Sequence, residues 1–230
     1  MSMLEVPLIL VNFKAYPSAI GERAAELARV VESVGKEKGV SVAVSPQSAD
    51  LYRIAKEVDV PVLAQHVDSL RPGSGTGWLL PEAAKEAGAV GSLVNHSEHR
   101  LELEEIEKIV VRLKELDLVS VVCARDPEEA ARVAAFKPDM VAVEPPELIG
   151  TGRAVSKEKP EVVSDSVRMV REVDPDVRVL CGAGVSNGED VRVALELGSE
   201  GVLLASCVTK AEDPRAVMLD LADGVLRARK

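Results

Sequence analysis

The chain has 230 residues, 47% hydrophobic but only 2% aromatic, so it can bury a sizeable core of aliphatic side chains and is not disordered. Its 28 lysines and arginines against 38 aspartates and glutamates give a net charge of −10, which argues against nucleic acid or an anionic membrane surface as a partner. The longest apolar stretches, at 8–11 and 202–205, fall far short of the roughly 20 residues needed to cross a bilayer.

Short β-branched runs alternate with amphipathic helical stretches along the chain, the pattern of repeated βα units feeding a parallel sheet. A strand over 8–11 leads to a helix over 21–38, and one over 40–44 leads to a helix over 48–58 with Ser48 as its cap. A third strand over 62–64 precedes a glycine-rich loop, 71–77, and a helix opened by Pro81. The fourth and fifth pairs are 91–94 with 102–115 and 119–122 with 126–135. A sixth strand, 140–143, runs into a long loop with proline and glycine before a helix over 162–173. The last pairs are 177–180 with 188–196 and 201–204 with 213–228. About eight βα units, with strands apolar on both faces, predict a single-domain (β/α)8 barrel spanning 1–230. An open doubly wound sheet would need a glycine-rich phosphate fingerprint after the first strand, and residues 12–17 are not one.

In such a barrel, function gathers at the carboxyl ends of the strands. Those ends carry Asn12 and Lys14, then Asn95, His96, Ser97 and Glu98, then Glu144. A buried carboxylate can take a proton from carbon, an imidazole can shuttle protons between adjacent oxygens, and an ammonium can stabilise an oxyanion, so the set suits enolisation beside a carbonyl. Lys14 also suits an ion pair, with Glu98 as a partner, but its place past an apolar strand favours function. A carboxylate at Glu144 is costly at the end of an apolar strand unless it is used. His96 alone reads as a core or capping histidine. Its case rests on its neighbours. A helix starting at Ser97 would favour the neutral imidazole. His66 and His99 carry no assignment.

Glycine and small residues at 149–152, 182–184 and 205–206 fall where barrels of this kind cradle phosphate with backbone N–H groups. Tight turns are the ordinary reason for any one of these glycines. In an acidic molecule these local dipoles and Lys14, rather than a broad positive field, would have to hold the anion.

Asn12-Phe13-Lys14, Asn95-His96-Ser97-Glu98, and Glu144-Pro145 followed by Ile149-Gly150-Thr151-Gly152 resemble the signature segments of the triosephosphate isomerase family, and the likeness runs through essentially the whole chain. The resemblance implies a cofactor-free, metal-free isomerase of triose phosphates, with Glu144 as base, His96 as electrophile, Lys14 as oxyanion stabiliser and Asn12 as substrate contact. It implies phosphate contacts from the backbone of Ile149, Gly184, Ala205 and Ser206, and a closing lid between Pro145-Pro146 and Gly150–Gly152. The lid lacks the tryptophan common in the family, Trp78 being the chain's only one. Gly184 stands where the family usually has serine, and Ala205-Ser206 where it has paired glycines. These departures and the short length resemble the compact archaeal branch, which implies a homotetramer rather than a dimer, with Thr76 of the 73–77 loop contacting a neighbouring subunit. The other readings are a phosphate-binding barrel acting on a ribulose or indole phosphate and a noncatalytic phosphometabolite-binding protein.

Cys123, Cys181 and Cys207, an odd and widely spaced set within or beside apolar runs, read as buried reduced thiols. The opening residues 1–7 lack a basic segment followed by an apolar one, and the expected location is the cytoplasm. Asparagine occurs only at 12, 95 and 187 and glutamine only at 47 and 65, a depletion of heat-labile amides that suggests a thermophilic source.

Overall fold

The computed structural model describes residues 4–229. Eight strands carry the fold: β1 (Leu8–Asn12), β2 (Ser41–Ser45), β3 (Leu63–Ala64), β4 (Gly91–Val94), β5 (Val119–Ala124), β6 (Met140–Val143), β7 (Arg178–Cys181) and β8 (Gly201–Leu204). All neighbours pair in parallel, in the order β2-β1-β8-β7-β6-β5-β4-β3. A single parallel bridge, Val44 to Val62, joins the two ends, so the sheet curls into a nearly closed single-domain TIM barrel, in which β7 and β8 are likewise joined through one registered pair, Cys181 with Val202.

Strand alternation sorts the apolar side chains into two populations. Leu8, Leu10, Ala43, Leu63, Leu93, Val121, Met140, Leu180 and Leu203 form one cluster filling the barrel, with Leu4 packed beneath them. Ile9, Val11, Val42, Val44, Val122, Val141, Val179 and Val202 belong to a larger cluster between sheet and helices. Leucine inside and β-branched residues outside build both layers, and Phe13 is the bulkiest fully buried side chain. Helices α1 (Glu22–Lys38), α2 (Leu51–Glu57), α3 (Pro81–Glu86), α4 (Leu103–Glu115), α5 (Pro127–Ala134), α6 (Val155–Glu158), α7 (Pro160–Val173), α8 (Gly188–Glu196), α9 (Ser206–Thr209) and α10 (Pro214–Ala228) surround it. Asp126, Asn187 and Asp213 cap α5, α8 and α10 by accepting backbone N–H groups. Gly39, at φ 63°, ends α1.

Two local expectations are corrected. Ser48 does not cap a helix: 48–50 is a 3-10 turn, and α2 begins at Leu51. The adjacent acceptor, Asp50, is instead engaged by the Gly21 N–H at 2.8 Å, tying this turn to the start of α1. No helix begins at Ser97 either. Residues 96–99 form a turn closed by His99 N–H on the His96 carbonyl at 2.8 Å, and α4 starts at Leu103. Asn95 causes the delay, because its carboxamide oxygen accepts the Leu101 N–H at 2.9 Å and holds the segment in a loop.

Candidate active site

Curling of the sheet brings the ends of β1, β4, β6, β7 and β8 to one cavity of about 380 Å³ at the carboxyl rim. Asn12, Lys14, His96, Glu144, Ile149, Gly184, Ala205 and Ser206 all line it, whereas Glu98 lines a neighbouring cavity that shares Lys14 and His96, and Ser97 lines a smaller one beside Glu144.

Glu144 continues the inward alternation of Met140 and Ala142 beyond β6. Its N–H donates to the Ala124 carbonyl at 2.7 Å, which pins the strand end to β5. The side chain is 8% exposed, and its Oε2 is buried with no hydrogen-bond partner. Leaving such an oxygen unmatched costs about 1–3 kcal/mol or more. Two neighbours shape its pocket. The Cys123 thiol lies beside the carboxylate, and burial followed by the Glu144 charge pushes that thiol well above its ordinary range. Gly182 lies so close that a Cβ there would sit 2.4 Å from the Glu144 Cγ.

His96 arrives by a different route. Strand parity would turn it outward after inward-facing Leu93 and Asn95, but Asn95 adopts φ 62° and swings the chain so that the imidazole enters the cavity. Asn95 is held in that conformation by donating to the Cys123 carbonyl at 2.9 Å. The Glu98 N–H donates to His96 Nδ1 at 3.2 Å, which places the ring proton on Nε2. That Nε2 lies 3.6 Å from Glu144 Oε2. A single backbone N–H in a turn therefore selects the tautomer, in place of the expected helix terminus.

Lys14 follows β1 in a left-handed conformation, φ 49°. Its Nζ pairs with the largely exposed Glu98 carboxylate at 2.9 Å, while its N–H donates to Asn12 Oδ1 at 2.9 Å. Gln47 and Gln65 also reach its backbone, contacts that no local sequence pattern announces. The opposite wall holds the small-residue segments. Ala183 and Gly184 have φ of 64° and 72°, and a Cβ on Gly184 would meet the Arg153 carbonyl oxygen at 1.9 Å, so glycine there lets the 145–153 loop pack down. Ser206 and Cys207 begin α9, where backbone N–H groups lack intrahelical partners.

The loop after β6 opens with a 3-10 turn, Pro146–Leu148, and turns at Gly150 and Gly152 with φ of 71° and 72°. Thr151 Oγ1 donates to the Leu148 carbonyl at 2.8 Å, and an ion pair joins Glu147 to Lys159 across the loop. Among the further cavity residues that escaped sequence reasoning, Tyr16, Ser186 and Lys210 are the ones with polar side-chain groups besides Cys207. Lys210 sets its ammonium 4.4 Å from the centre of the Tyr16 ring, adding positive charge near the glycine wall. Its one available signal is its position just past α9. Burial pushes the thiols of Cys181 and Cys207 up to about 12, so the cysteines are protonated at neutral pH. Among the described residues no group of three or more His, Cys, Asp or Glu is placed to hold a metal ion. The cavity thus joins an unpartnered carboxylate, an N–H-bearing imidazole and two ammonium groups to a wall of small residues. Such a set can move protons along a short anionic substrate.

A family profile described as triosephosphate isomerase matches residues 7–224. The triosephosphate isomerase of Methanobacterium bryantii is 51% identical over 96% of this chain and 98% of that protein. That of Methanothermus fervidus is 53% identical over 95% of this chain and 98% of its own length. The enzyme of Methanothermobacter thermautotrophicus is 49% identical, covering 98% of both chains.

Proposed function

The chain belongs to the triosephosphate isomerase family, isomerases that interconvert glyceraldehyde 3-phosphate and dihydroxyacetone phosphate in glycolysis and gluconeogenesis, and from that premise we propose how its residues divide the reaction. Glu144 takes the proton from the carbon beside the carbonyl, leaving an enediolate, and returns it to the neighbouring carbon. His96 donates from Nε2 to the oxygen that gains charge, then takes the proton of the adjacent hydroxyl, so no net redox change occurs. Lys14 stabilises the developing oxyanion through Nζ, and Asn12 contacts the substrate while holding the Lys14 N–H. Backbone N–H groups of Ile149, Gly184, Ala205 and Ser206 take the phosphate. The 145–152 loop closes over it and excludes water.

The observation that carries this reading is the buried, unpartnered Oε2 of Glu144, 3.6 Å from His96 Nε2 in a cavity shared with Lys14. A carboxylate kept there without a partner is suited to accept a proton. Glu144→Gln is expected to lower kcat by about 100- to 10,000-fold while inorganic phosphate still binds, measured by coupled assay and calorimetry. Unchanged turnover would refute the assignment.

The assembly is a homotetramer in which the 73–77 loop, with Thr76 at its contact, enters a neighbouring subunit. Trp78 beside that loop is 63% exposed, as expected of a side chain awaiting a partner. Light scattering giving a monomer would overturn this. The same reading sets the enzyme in the cytoplasm, where Cys123, Cys181 and Cys207 stay reduced. No described helix is long and apolar enough to cross a membrane.

A further inference from the structure

Among the described residues, the cations of the cavity wall and of the 145–159 segment are matched by carboxylates, with one exception. Lys14 pairs with Glu98 at 2.9 Å, Lys157 of α6 with Asp190 at 2.6 Å, Arg153 with Glu158 and Lys159 with Glu147. Lys210 lines the same cavity and forms no ion pair among the described residues; its ammonium stands 4.4 Å from the centre of the Tyr16 ring. With Lys14 offset by Glu98, the Glu144 carboxylate leaves the cavity negative unless Lys210 is counted, in a chain of net charge −10. A phosphate dianion entering such a space meets repulsion, and the one unmatched ammonium is the group that relieves it.

The contact with Tyr16 is built from both sides. Tyr16 precedes the 3-10 turn Pro17–Ala19, whose Ala19 N–H donates to the Tyr16 carbonyl at 2.8 Å. From that turn Ser18 Oγ donates to the Thr209 carbonyl, which staples the loop after β1 to the residue before Lys210. The Lys210 N–H in turn donates to the Ser206 carbonyl at 3.1 Å, so its backbone is fixed to the small-residue wall. We propose that Lys210, held over the Tyr16 face, is a further substrate-binding residue: its ammonium engages the phosphate dianion, and Tyr16 is its positioning residue. This deepens the functional reading above and rests on the phosphate lodging beside Gly184, Ala205 and Ser206. An aromatic face suits the task better than a carboxylate, because it restrains the ammonium without neutralising it.

Kinetics of the full chain test this with Lys210→Met, which keeps the apolar stem and removes the charge. Its kcat/KM for glyceraldehyde 3-phosphate, divided by that for glyceraldehyde, which lacks the phosphate, should fall about 10-fold, carried by KM. Because Lys210 is exposed, the loss should shrink to about twofold in about 1 M potassium chloride, where charges are screened beyond about 3 Å. Lys210→Arg should keep most of the ratio, and Tyr16→Leu should lower it by about 2- to 5-fold, with no further loss beside Lys210→Met. Calorimetry gives a readout independent of turnover: inorganic phosphate should bind Lys210→Met about 10-fold more weakly. Equal losses on both substrates, a loss carried by kcat, or unchanged phosphate affinity would overturn the proposal and leave the functional reading intact. A wild-type chain without isomerase activity would instead overturn that reading, and this proposal with it.

Discussion

One methyl group at position 182 should cost this protein most of its turnover. Gly182 follows β7, donates to the Val143 carbonyl at 2.9 Å and is not among the residues with positive φ, so an alanine suits its backbone. The obstacle is the side chain it faces. A Cβ built there lies 2.4 Å from Glu144 Cγ and 3.1 Å from both Cδ and Oε1, whereas ordinary contact begins at 3.4 Å. Glu144 must therefore retreat by about 1 Å, because close-packed interiors absorb such overlaps by moving atoms. Displacement of a reacting group on that scale costs about 100-fold in rate. Overpacking of one methyl costs only about 1–3 kcal/mol of stability, so Gly182→Ala should fold. The assay compares kcat and KM of Gly182→Ala with wild type, beside urea denaturation, and repeats the substitution in Glu144→Gln. A large fall in kcat that disappears when Glu144 is already lost is the expected result. Turnover within about twofold of wild type in a folded Gly182→Ala protein would refute the claim that the cavity fixes the base to sub-ångström tolerance.

Arg100, 36% exposed, pairs with Glu129, whose side chain is only 6% exposed and also accepts the Arg125 N–H at 2.8 Å, so Arg100→Met should lower unfolding free energy in urea by about 1–3 kcal/mol. Adding Glu129→Gln should restore part of that loss, since the stranded charge is then gone. The cysteines predict an alkaline limit. Native thiols of Cys181 and Cys207 titrate near 12 against about 9 when unfolded, so their contribution is complete below pH 9 and is lost between 9 and 12 as the unfolded thiols ionise. Each thiol should steepen the decline by about 1.4 kcal/mol per pH unit, and Cys207→Ala should remove one such share from the slope of stability against pH.

Eight of the residues that line the cavity were accessible from sequence because each sits at a strand end or in the loop after it, and apolar strands followed by helical stretches locate those ends without coordinates. The path by which they arrive was less accessible. Extrapolating an inward strand does lead to Glu144, but it fails at His96, where the Asn95 bond to Cys123 imposes a left-handed turn. The supposed helix at Ser97 failed for a related reason: Asn95 satisfies the Leu101 N–H from outside the helix. Cys123 read as an inert strand thiol, and only the end of the adjacent strand, which carries Glu144, sets it beside the site.

Sequence alone determined that this chain is a single-domain βα barrel with carboxylate, imidazole and ammonium at one rim. Apolar periodicity and strand order are properties of neighbours along the chain, and a parallel βα repeat leaves one end of the sheet to collect polar side chains. Tertiary structure alone decided how those groups are held: the glutamine contacts with the Lys14 carbonyl span 33 and 51 residues, and Gly182 bears on Glu144 from another strand. Contacts of that reach have no period in the sequence. They exist only after closure of the sheet sets strand ends within bonding distance, which is why the polar residues at the rim were legible and the residues packed around them were not.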